Sequence, residues 1–409
     1  MGRRVDRLHE AKRQQSSDFP FSLVVTPFAV LLALFLVWAF TGIWPWKPNP
    51  YKSYALQAEA WLHGRLDLGQ DYPWLELAIY KGKYYVSFPP FPSFVLLPFA
   101  VFMGSSTPDG LISLVVTLVG SMQAVRLCRE AGYGEEESIF WSLFLYLGTG
   151  YLFIGSTGWV WFFAQSLCFT LLLSSVLEAV RGHGGWSLAF WAMAVGCRPF
   201  SIIYLPLLFW ILRQWARKVP VRKWILSHLT WAIAPIIIAC VYMTLNVLRF
   251  DSPVEFGHTY LPEFQRAEKG QFSLSYVPEH LLLLLRLPQV GEKGELVFEH
   301  LETMAFYLIN PLIFPLLCGW IWALRERRHH LLFLLPLLGL FHVLLLCMHR
   351  TLGGFQFGNR YFLDPWPALF WGLLLWRNPG RKSGLLWVPF FVLGAGLNLL
   401  GTVLTYSTW

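Results

Sequence analysis

The sequence predicts an all-α integral membrane protein with about 11 transmembrane helices and a structured first extracytoplasmic loop. Hydrophobic residues make up 56% of the 409 residues and charged residues only 14%, whereas soluble domains carry about 25% charged residues. Several apolar runs are long enough to cross a hydrocarbon core of roughly 30 Å. Because backbone polar groups in lipid must be satisfied within the segment, these runs are expected to be helices.

The predicted spans form a single polytopic membrane domain over residues 1–409. They cover residues 22–44, 110–128, 138–154, 158–180, 186–198, 200–214, 224–247, 303–323, 331–348, 363–377 and 384–406. We divide 186–214 into two spans at Arg198–Pro199, since a residue before proline resists the helical conformation. The apolar stretch 91–104 is short and contains Pro92 and Pro98, so we expect it to lie at the interface without crossing.

The positions of Lys and Arg predict the orientation. The N-terminal tail, residues 1–21, is basic, and so are the joints 325–330 and 377–382. Such residues are enriched on the cytoplasmic side, which places the tail in the cytoplasm of a multi-pass cell-membrane protein. The three long polar loops are residues 45–109, 249–302 and 349–364. They then share the extracytoplasmic face, and we look for function there.

The basic balance and the cysteines exclude two other classes of protein. The net charge of +8 comes from short joints beside the spans, which is a topology signal and not a nucleic-acid groove. The six cysteines lie in or beside apolar segments and form no C-x-x-C pair. No disulfide framework or zinc site is therefore predicted.

The first polar loop is expected to contain regular structure. Asn49–Pro50 is typical of a helix start, apolar residues follow at helical spacing from Tyr54 to Leu62, and Gly64 is suited to ending the helix. This predicts a short amphipathic helix on the membrane surface. Residues 75–88 then predict two strands joined by a turn at Lys81–Gly82.

Carboxylates of this loop are the candidates for general-base catalysis. Glu76 lies between two leucines in the predicted strand, and Asp71 precedes the strand. Partial burial would raise the pKa of either group into a useful range. The alternative is that these residues are solvated loop charges.

Two arginines are candidates for binding a donor phosphate. Arg198, at the end of two short spans, is costly unless it is paired or bound to an anion, and a guanidinium suits a phosphate. Arg360 lies in the glycine-containing stretch 353–367. The alternatives are a structural pair of Arg198 with a loop carboxylate, and an Arg360–Asp364 pair at i,i+4.

The remaining candidates are polar or aromatic residues of the three loops. Lys83 is a further candidate for the phosphate, and the candidates for binding substrate are Tyr84, Tyr85, His258, Gln356, Asn359 and Tyr361. The loop 249–302 is expected either to cover a carbohydrate site or to be a solvated lid. His342 and His349 are given no role, because lone histidines in spans are mostly hydrogen-bonded packing residues.

Six segments, in chain order, resemble the GT-C superfamily of polytopic glycosyltransferases, the group of protein O-mannosyltransferases and aminoarabinose transferases (glycosyltransferase family 39-like). They are YALQAEAWLHGRLDL, ELAIYKGKYYVSFPPFPSFVLLPF, GWVWFFAQ, GCRPF, SPVEFGHTY with GQFSLSYVP, and QFGNRYFLDPWPAL. The resemblance implies transfer of a sugar from a polyisoprenyl-phosphate-linked donor to a glycan, lipid or protein acceptor on the extracytoplasmic face, with inversion at the anomeric carbon.

The chain departs from that family at one place. Better-known members have an Asp just after the first span, where this sequence reads Lys47-Pro48-Asn49-Pro50-Tyr51. In other relatives an acidic residue stands just before a Y-x-G-x-Y-Y hairpin, and Glu76 matches that place. The resemblance therefore implies Glu76 as the base, with Asp71 second.

Two other functions compete with an enzyme. A polytopic transporter or flippase of a lipid-linked glycan would be expected to carry ionisable residues deep in the spans and repeated halves. No internal repeat is apparent, and Arg198 is the one Arg or Lys near span interiors. A non-catalytic subunit would not depend on the loop carboxylates. No cofactor is expected to be required, and a divalent metal stays compatible with the sequence.

Overall fold

The computed structural model describes residues 20–291, 296–297, 305–326, 331–376 and 383–408. Almost all of the predicted cytoplasmic tail lies outside the described residues. So do the joint 377–382, most of the joint 325–330, and residues 292–295 and 298–302 of the second loop.

Helices account for most of the described chain. In order they are α1 (Ser22–Thr41), α2 (Ser53–Leu62), α3 (Phe91–Met103), α4 (Asp109–Glu130), α5 (Glu135–Leu147), α6 (Tyr151–Gly155), α7 (Val160–Val180), α8 (Gly184–Val195), α9 (Leu205–Arg213), α10 (Val221–Ser227), α11 (Ile233–Phe250), α12 (Pro262–Gln265), α13 (Val277–Leu283), α14 (Phe306–Ile309), α15 (Ile313–Arg325), α16 (Leu331–Met348), α17 (Trp366–Trp376) and α18 (Val388–Ser407). The strands are β1 (Leu77–Tyr80), β2 (Lys83–Val86), β3 (Gln289–Val290) and β4 (Leu296–Val297).

The helix lengths identify a multi-pass membrane protein. Within the described residues, five helical stretches are long and apolar enough to cross a membrane, and several shorter apolar helices accompany them. The five are Ser22–Thr41, Asp109–Glu130, Val160–Val180, Leu229–Phe250 and Gly384–Ser407. The predicted fold class is therefore confirmed.

The core of the bundle is α7. About 94% of the apolar stretch of α7 is buried inside the protein, whereas only 11% is buried in Leu229–Phe250, the stretch that contains α11. Helices α4 and α8 pack on two sides of α7, and α17 packs on it as well. Since α7 is enclosed by other helices, the residues at its first turn are well placed to line a site at that end of the bundle.

Hydrogen bonds between helix ends define the two ends of the bundle. At one end, the Asn49 amide donates to Asp109 Oδ2 (2.8 Å) and to the Gly158 carbonyl oxygen (2.9 Å), which joins the chain after α1 to the starts of α4 and α7. At the other end, the Ser22 backbone N–H donates to Glu135 Oε2 (2.9 Å). We call the first of these the loop end, because the first and third polar loops attach there.

The first loop contains the predicted helix and hairpin. Strands β1 and β2 pair antiparallel with Tyr80 opposite Lys83. Lys81 and Gly82 both adopt positive φ values of 49° and 71°, as a tight two-residue hairpin turn requires. Gly64 follows α2 with φ 70°, in agreement with its predicted role at the helix end.

The start of α2 differs from the prediction. The helix starts at Ser53 and not at Asn49–Pro50, because Asn49 Oδ1 accepts the Tyr51 backbone N–H in a local turn (2.8 Å). The helix packs against α3, and its predicted place on the membrane surface stays a prediction. Gln57 is buried there and accepts from Ser93 Oγ (2.8 Å).

The break at Arg198–Pro199 is where the sequence predicted it. Helix α8 ends at Val195, and a 3₁₀ segment, Pro199–Tyr204, precedes α9. Arg198 is extended, with φ −141° and ψ 103°, which is the conformation expected before proline. The stretch 91–104, predicted as non-crossing, forms α3.

Three spans predicted as continuous are interrupted. The span 138–154 divides between α5 and α6, the span 224–247 divides between α10 and α11, and the span 303–323 divides between α14 and α15. Asn310 connects two of these breaks, because it lies between α14 and α15 and contacts Gly150, which lies between α5 and α6. Its Oδ1 accepts the Gly150 backbone N–H (3.2 Å), which the break in the helix leaves without a helical partner.

Candidate active site

A cavity of about 430 Å³ lies at the loop end of the bundle. It is bounded by α2 and the hairpin, the first turns of α7, the break after α8, residues 254–272 of the second loop and residues 346–361. Five residues that sequence analysis proposed as site residues line this cavity. They are Glu76, Arg198, His258, Arg360 and Tyr361.

Glu76 presents a half-buried carboxylate to the cavity. It directly precedes β1, which begins at Leu77, and is not part of the strand as predicted. Trp161 Nε1 donates to Glu76 Oε2 (3.0 Å), and Ser87 Oγ donates to the Glu76 backbone carbonyl oxygen (2.8 Å). Burial raises the pKa of Glu76 above its ordinary value of 4.5, although the Trp161 hydrogen bond opposes the shift. A raised pKa is what a general base in a cavity requires.

Arg198 forms a buried ion pair with Asp364. The distances to Asp364 Oδ2 are 2.8 Å from Nε and 2.7 Å from Nη2. Gln165 Nε2 donates to the other carboxylate oxygen, Oδ1 (2.7 Å). For Arg198, the sequence analysis gave a structural pair with a loop carboxylate as the alternative to phosphate binding. The structure contains that pair. The alternative pair Arg360–Asp364 is wrong, because within the described residues the ion-pair partner of Asp364 is Arg198.

Arg360 is a second buried guanidinium, only 4% exposed. Its Nη2 donates to the Gly353 carbonyl oxygen (2.6 Å), and the group lies over the rings of Phe162 and Tyr361. Among the described residues its Nε has no hydrogen-bond partner, and neither has the buried hydroxyl of Tyr54, which lines the same cavity. Buried polar groups normally have partners, so these two groups are available to hydrogen-bond with a ligand in the cavity.

Residues 254–273, which we call the lid, cover the cavity. Phe272 pairs with His349 in an isolated antiparallel bridge. The Ser273 backbone N–H donates to the Met348 carbonyl oxygen (2.8 Å), and the Arg350 N–H donates to the Gln271 carbonyl oxygen (2.8 Å). This part of the loop lines the cavity and also exposes polar residues such as Arg266 and Lys269, and its role in covering a carbohydrate stays a prediction.

His258, which is part of the lid, lies close to His349 at the end of α16. The ring centroids of His258 and His349 are 5.9 Å apart. His258 Nδ1 lies 3.3 Å from the Ser87 carbonyl oxygen, and His349 Nδ1 lies 2.8 Å from that of Thr351. Burial lowers the pKa of each ring to about 4, so both are neutral near pH 7.

The sequence analysis gave no role to His349, which lines the cavity. Its position outside the span could have been predicted, because it directly follows residues 331–348 and so belongs to the third polar loop. His342, in contrast, is the packing residue that was expected. Its Nδ1 is hydrogen-bonded to the Tyr204 hydroxyl (2.5 Å) inside the bundle.

Three proposed residues of β2 do not line the cavity. Lys83 is exposed and pairs with Asp67 (3.4 Å). Tyr85 is buried against Phe250 in a separate small core, and Tyr84 packs on the edge of the main core. Side chains alternate along a strand, and neither face of β2 opens on the cavity.

Three further proposed residues also lie outside the cavity lining. Asp71 is exposed, since the chain turns inward only at Leu75. Gln356 is fully buried and accepts the Arg360 backbone N–H at Oε1 (3.1 Å). Asn359 accepts the Phe362 N–H at Oδ1 (3.3 Å). Gln356 and Asn359 therefore fix the backbone around Arg360.

The sequence analysis did not propose Trp161 and Gln165 as site residues, although both contact residues of the site. They stand four residues apart in the first turns of α7, so they share one face of the helix. Trp161 contacts the Glu76 carboxylate and Gln165 contacts Asp364. The signal was present as two polar groups at i,i+4 in an apolar helix.

Comparisons with known proteins identify the fold. No family model and no curated protein matches the sequence. The solved structure of ArnT from Cupriavidus metallidurans bound to undecaprenyl phosphate is similar, with a TM-score of 0.54 and 14% identity over 95% of this chain and 77% of that chain. The apo state of the same protein gives 0.54 and 13% over 94% and 76%.

ArnT is an aminoarabinose transferase of the GT-C class. The chain has a GT-C-like fold. This likeness confirms the family resemblance at the level of the fold.

We predict that Asp364→Asn destabilises the protein by about 3–5 kcal/mol, because it leaves the Arg198 charge buried without its partner. The measurement is the thermal unfolding midpoint of purified protein in detergent. The control is the double change Arg198→Met with Asp364→Leu, which removes both charges and should unfold close to the wild type. Equal stability of Asp364→Asn and wild type would contradict the role assigned to the pair.

We also predict that acid weakens the fold between about pH 6.5 and pH 4. The folded-state pKa of His258 and His349 is about 4, while an unfolded histidine titrates near 6.5. The unfolded state therefore binds protons first, and stability falls as pH decreases through this window. Unfolding midpoints of the double variant His258→Gln, His349→Gln should depend less on pH. The exposed His63→Gln variant should follow the wild type, and an unchanged slope in the double variant would refute this account.

Proposed function

We propose that this protein is a glycosyltransferase that moves a sugar from a polyisoprenyl-phosphate-linked donor to an acceptor hydroxyl on the extracytoplasmic face. One observation carries the proposal. The cavity at the loop end of a GT-C-like fold contains a half-buried carboxylate, Glu76, and a buried guanidinium with an unpartnered nitrogen, Arg360.

Arg360 is the residue that we assign to the donor phosphate. The charge of Arg198 is already balanced by Asp364, so Arg198 holds the wall of the cavity in place. Among the described residues Arg360 has no ion-pair partner, and its Nε–H, which has no hydrogen-bond partner there, is suited to a charge-assisted bond with a phosphate oxygen. The ArnT structure with bound undecaprenyl phosphate supports a lipid phosphate as the ligand class.

Glu76 is the residue that we assign as general base. It takes the proton of the acceptor hydroxyl while the acceptor oxygen bonds to the anomeric carbon. The bond between that carbon and the phosphate oxygen breaks, and the lipid phosphate leaves with the electron pair. Arg360 stabilises the negative charge that develops on the leaving oxygen. Attack on the face opposite the phosphate inverts the anomeric carbon.

The orientation of the cavity follows from the charges in the sequence. The joints 325–330 and 377–382 and the N-terminal tail are basic, which favours the cytoplasm for their end. The loop end then faces away from the cytoplasm. Since nucleotide sugars are confined to the cytoplasm, transfer on that face requires a membrane-borne donor. The acceptor is a glycan, a lipid or a protein.

We predict that Glu76→Gln lowers sugar transfer by about 10²–10⁴-fold, the usual contribution of a positioned base. The assay follows transfer from extracted lipid-linked sugars in membranes that contain equal amounts of folded protein. In the wild type, transfer should rise with pH as Glu76 loses its proton, at a pH above the ordinary 4.5 because burial raises its pKa. Asp71→Asn is the matched control, since Asp71 is exposed. Full activity of Glu76→Gln would exclude Glu76 as the base.

We predict that Arg360→Gln weakens the binding of a polyprenyl phosphate by about tenfold or more, because a charge-assisted hydrogen bond contributes roughly 1.5–3 kcal/mol. The measurement is the thermal shift of purified protein upon titration with undecaprenyl phosphate. Lys83→Gln is the control, since Lys83 is exposed and paired with Asp67. The same binding constant in Arg360→Gln and Lys83→Gln would reject this assignment.

A further inference from the structure

Residues 274–290, which we call the leucine segment, expose a group of large aliphatic side chains. Within this short stretch six of them are between 45% and 71% exposed, namely Leu274, Leu281, Leu282, Leu285, Leu287 and Val290. The segment contains α13 and lies outside the five long membrane-spanning stretches. An exposed apolar face of this kind marks an interaction surface.

The opposite face of the leucine segment is fixed to the bundle. His280 is buried, and its Nδ1 lies 2.8 Å from the Cys347 carbonyl oxygen at the end of α16. Leu284 is 5% exposed and forms a small core with Cys347 and Phe362. The Ala305 backbone N–H donates to the Arg286 carbonyl oxygen (2.7 Å). The orientation of the exposed leucines is therefore set by the fold.

The exposed face continues the outer surface of α16. That helix leaves Leu337, Leu340, Phe341 and Leu344 between 38% and 69% exposed, as expected of a helix in contact with lipid. It ends at Met348, so Leu344 lies only about 6 Å from its end at 1.5 Å per residue. Helix α13 packs on α16, and its leucines extend the apolar surface from the place where α16 stops.

The lid differs from the leucine segment in what it exposes. Gln265, Arg266, Glu268 and Lys269 are all exposed on the lid, and Leu274 is the first exposed leucine after it. Most of the exposed large aliphatic side chains in the described part of the second loop therefore lie in the leucine segment, while the lid exposes Val254 and Phe272. A concentration of exposed leucines of this kind indicates a surface that is covered in the native environment.

We propose that the leucine segment inserts its exposed side chains into the hydrocarbon of the leaflet at the loop end, with lipid acyl chains as its partner. The segment lies in the interface plane as amphipathic helices do, and it joins the lid to the membrane. Phe272, which lines the cavity, is two residues from Leu274. This inference rests on the membrane fold and not on the proposed enzymatic activity.

The test uses nitroxide labels on the full-length protein in nanodiscs of phosphatidylethanolamine and phosphatidylglycerol. The background carries Cys240→Ser and Cys318→Ser, which remove the two exposed cysteines among the described residues. Labels are attached at Leu282→Cys and Leu285→Cys, and at Lys269→Cys in the lid as the matched control. Power saturation then compares collisions with oxygen, which is concentrated in hydrocarbon, and with a water-soluble nickel chelate.

We expect labels at positions 282 and 285 to collide more with oxygen than with the nickel chelate, by severalfold, and the label at position 269 to show the reverse. Nickel collisions that dominate at 282 and 285 would place the segment in water and overturn the proposal. Low collision rates with both agents would show that protein, such as a second copy of the chain, covers the leucines, and would also overturn it. Each labelled variant must elute as the background protein does in size exclusion.

Discussion

The ion pair between Arg198 and Asp364 is the constraint on which the cavity depends. It joins the extended residue before Pro199 to the segment that enters α17. Gln165 of the central helix completes the carboxylate's hydrogen bonds and also donates to the Arg360 carbonyl oxygen (2.5 Å). A buried pair of this kind is costly to assemble and more costly to break. Three parts of the chain that are distant in sequence are thereby held at one wall.

The pair also decides which charges in the cavity are available. Asp364 balances the charge of Arg198, whereas Glu76, Glu263 and Arg360 line the cavity without an ion-pair partner among the described residues. Glu76 lies close enough to influence the pKa of Arg360, whose main shift is a lowering by burial. The two neighbouring histidines are neutral near pH 7. Glu255 and Glu263 line the same cavity, so its carboxylates lie around a single buried guanidinium that has no ion-pair partner among the described residues, Arg360.

The sequence predicts elements with local causes better than it predicts contacts between distant residues. The hairpin turn at Lys81–Gly82 and the break at Arg198–Pro199 follow from backbone preferences of the residues themselves. The ion-pair partner of Asp364 could not be predicted in this way, because i,i+4 spacing aligns side chains only in an α-helix. Residues 360–363 form a 3₁₀ turn, with three residues per turn, and Asp364 faces Arg198 instead. The flanking leucines favoured Glu76 over Asp71 in the sequence, but only the structure shows that Asp71 is exposed and that Glu76 lines the cavity.

The tip of the hairpin is attached to the beginning of the second loop. The Tyr80 hydroxyl donates to Asp251 Oδ2 (2.8 Å), Lys81 pairs with the same carboxylate, and the Tyr80 ring lies 4.6 Å from that of Tyr260. Glu76 stands at the foot of this hairpin. The contacts at its tip therefore fix the hairpin, and with it the approach of the chain to Glu76, against the segment that covers the cavity. For the glycosyltransferase that we propose, the cover and the base would thus be aligned through the same turn.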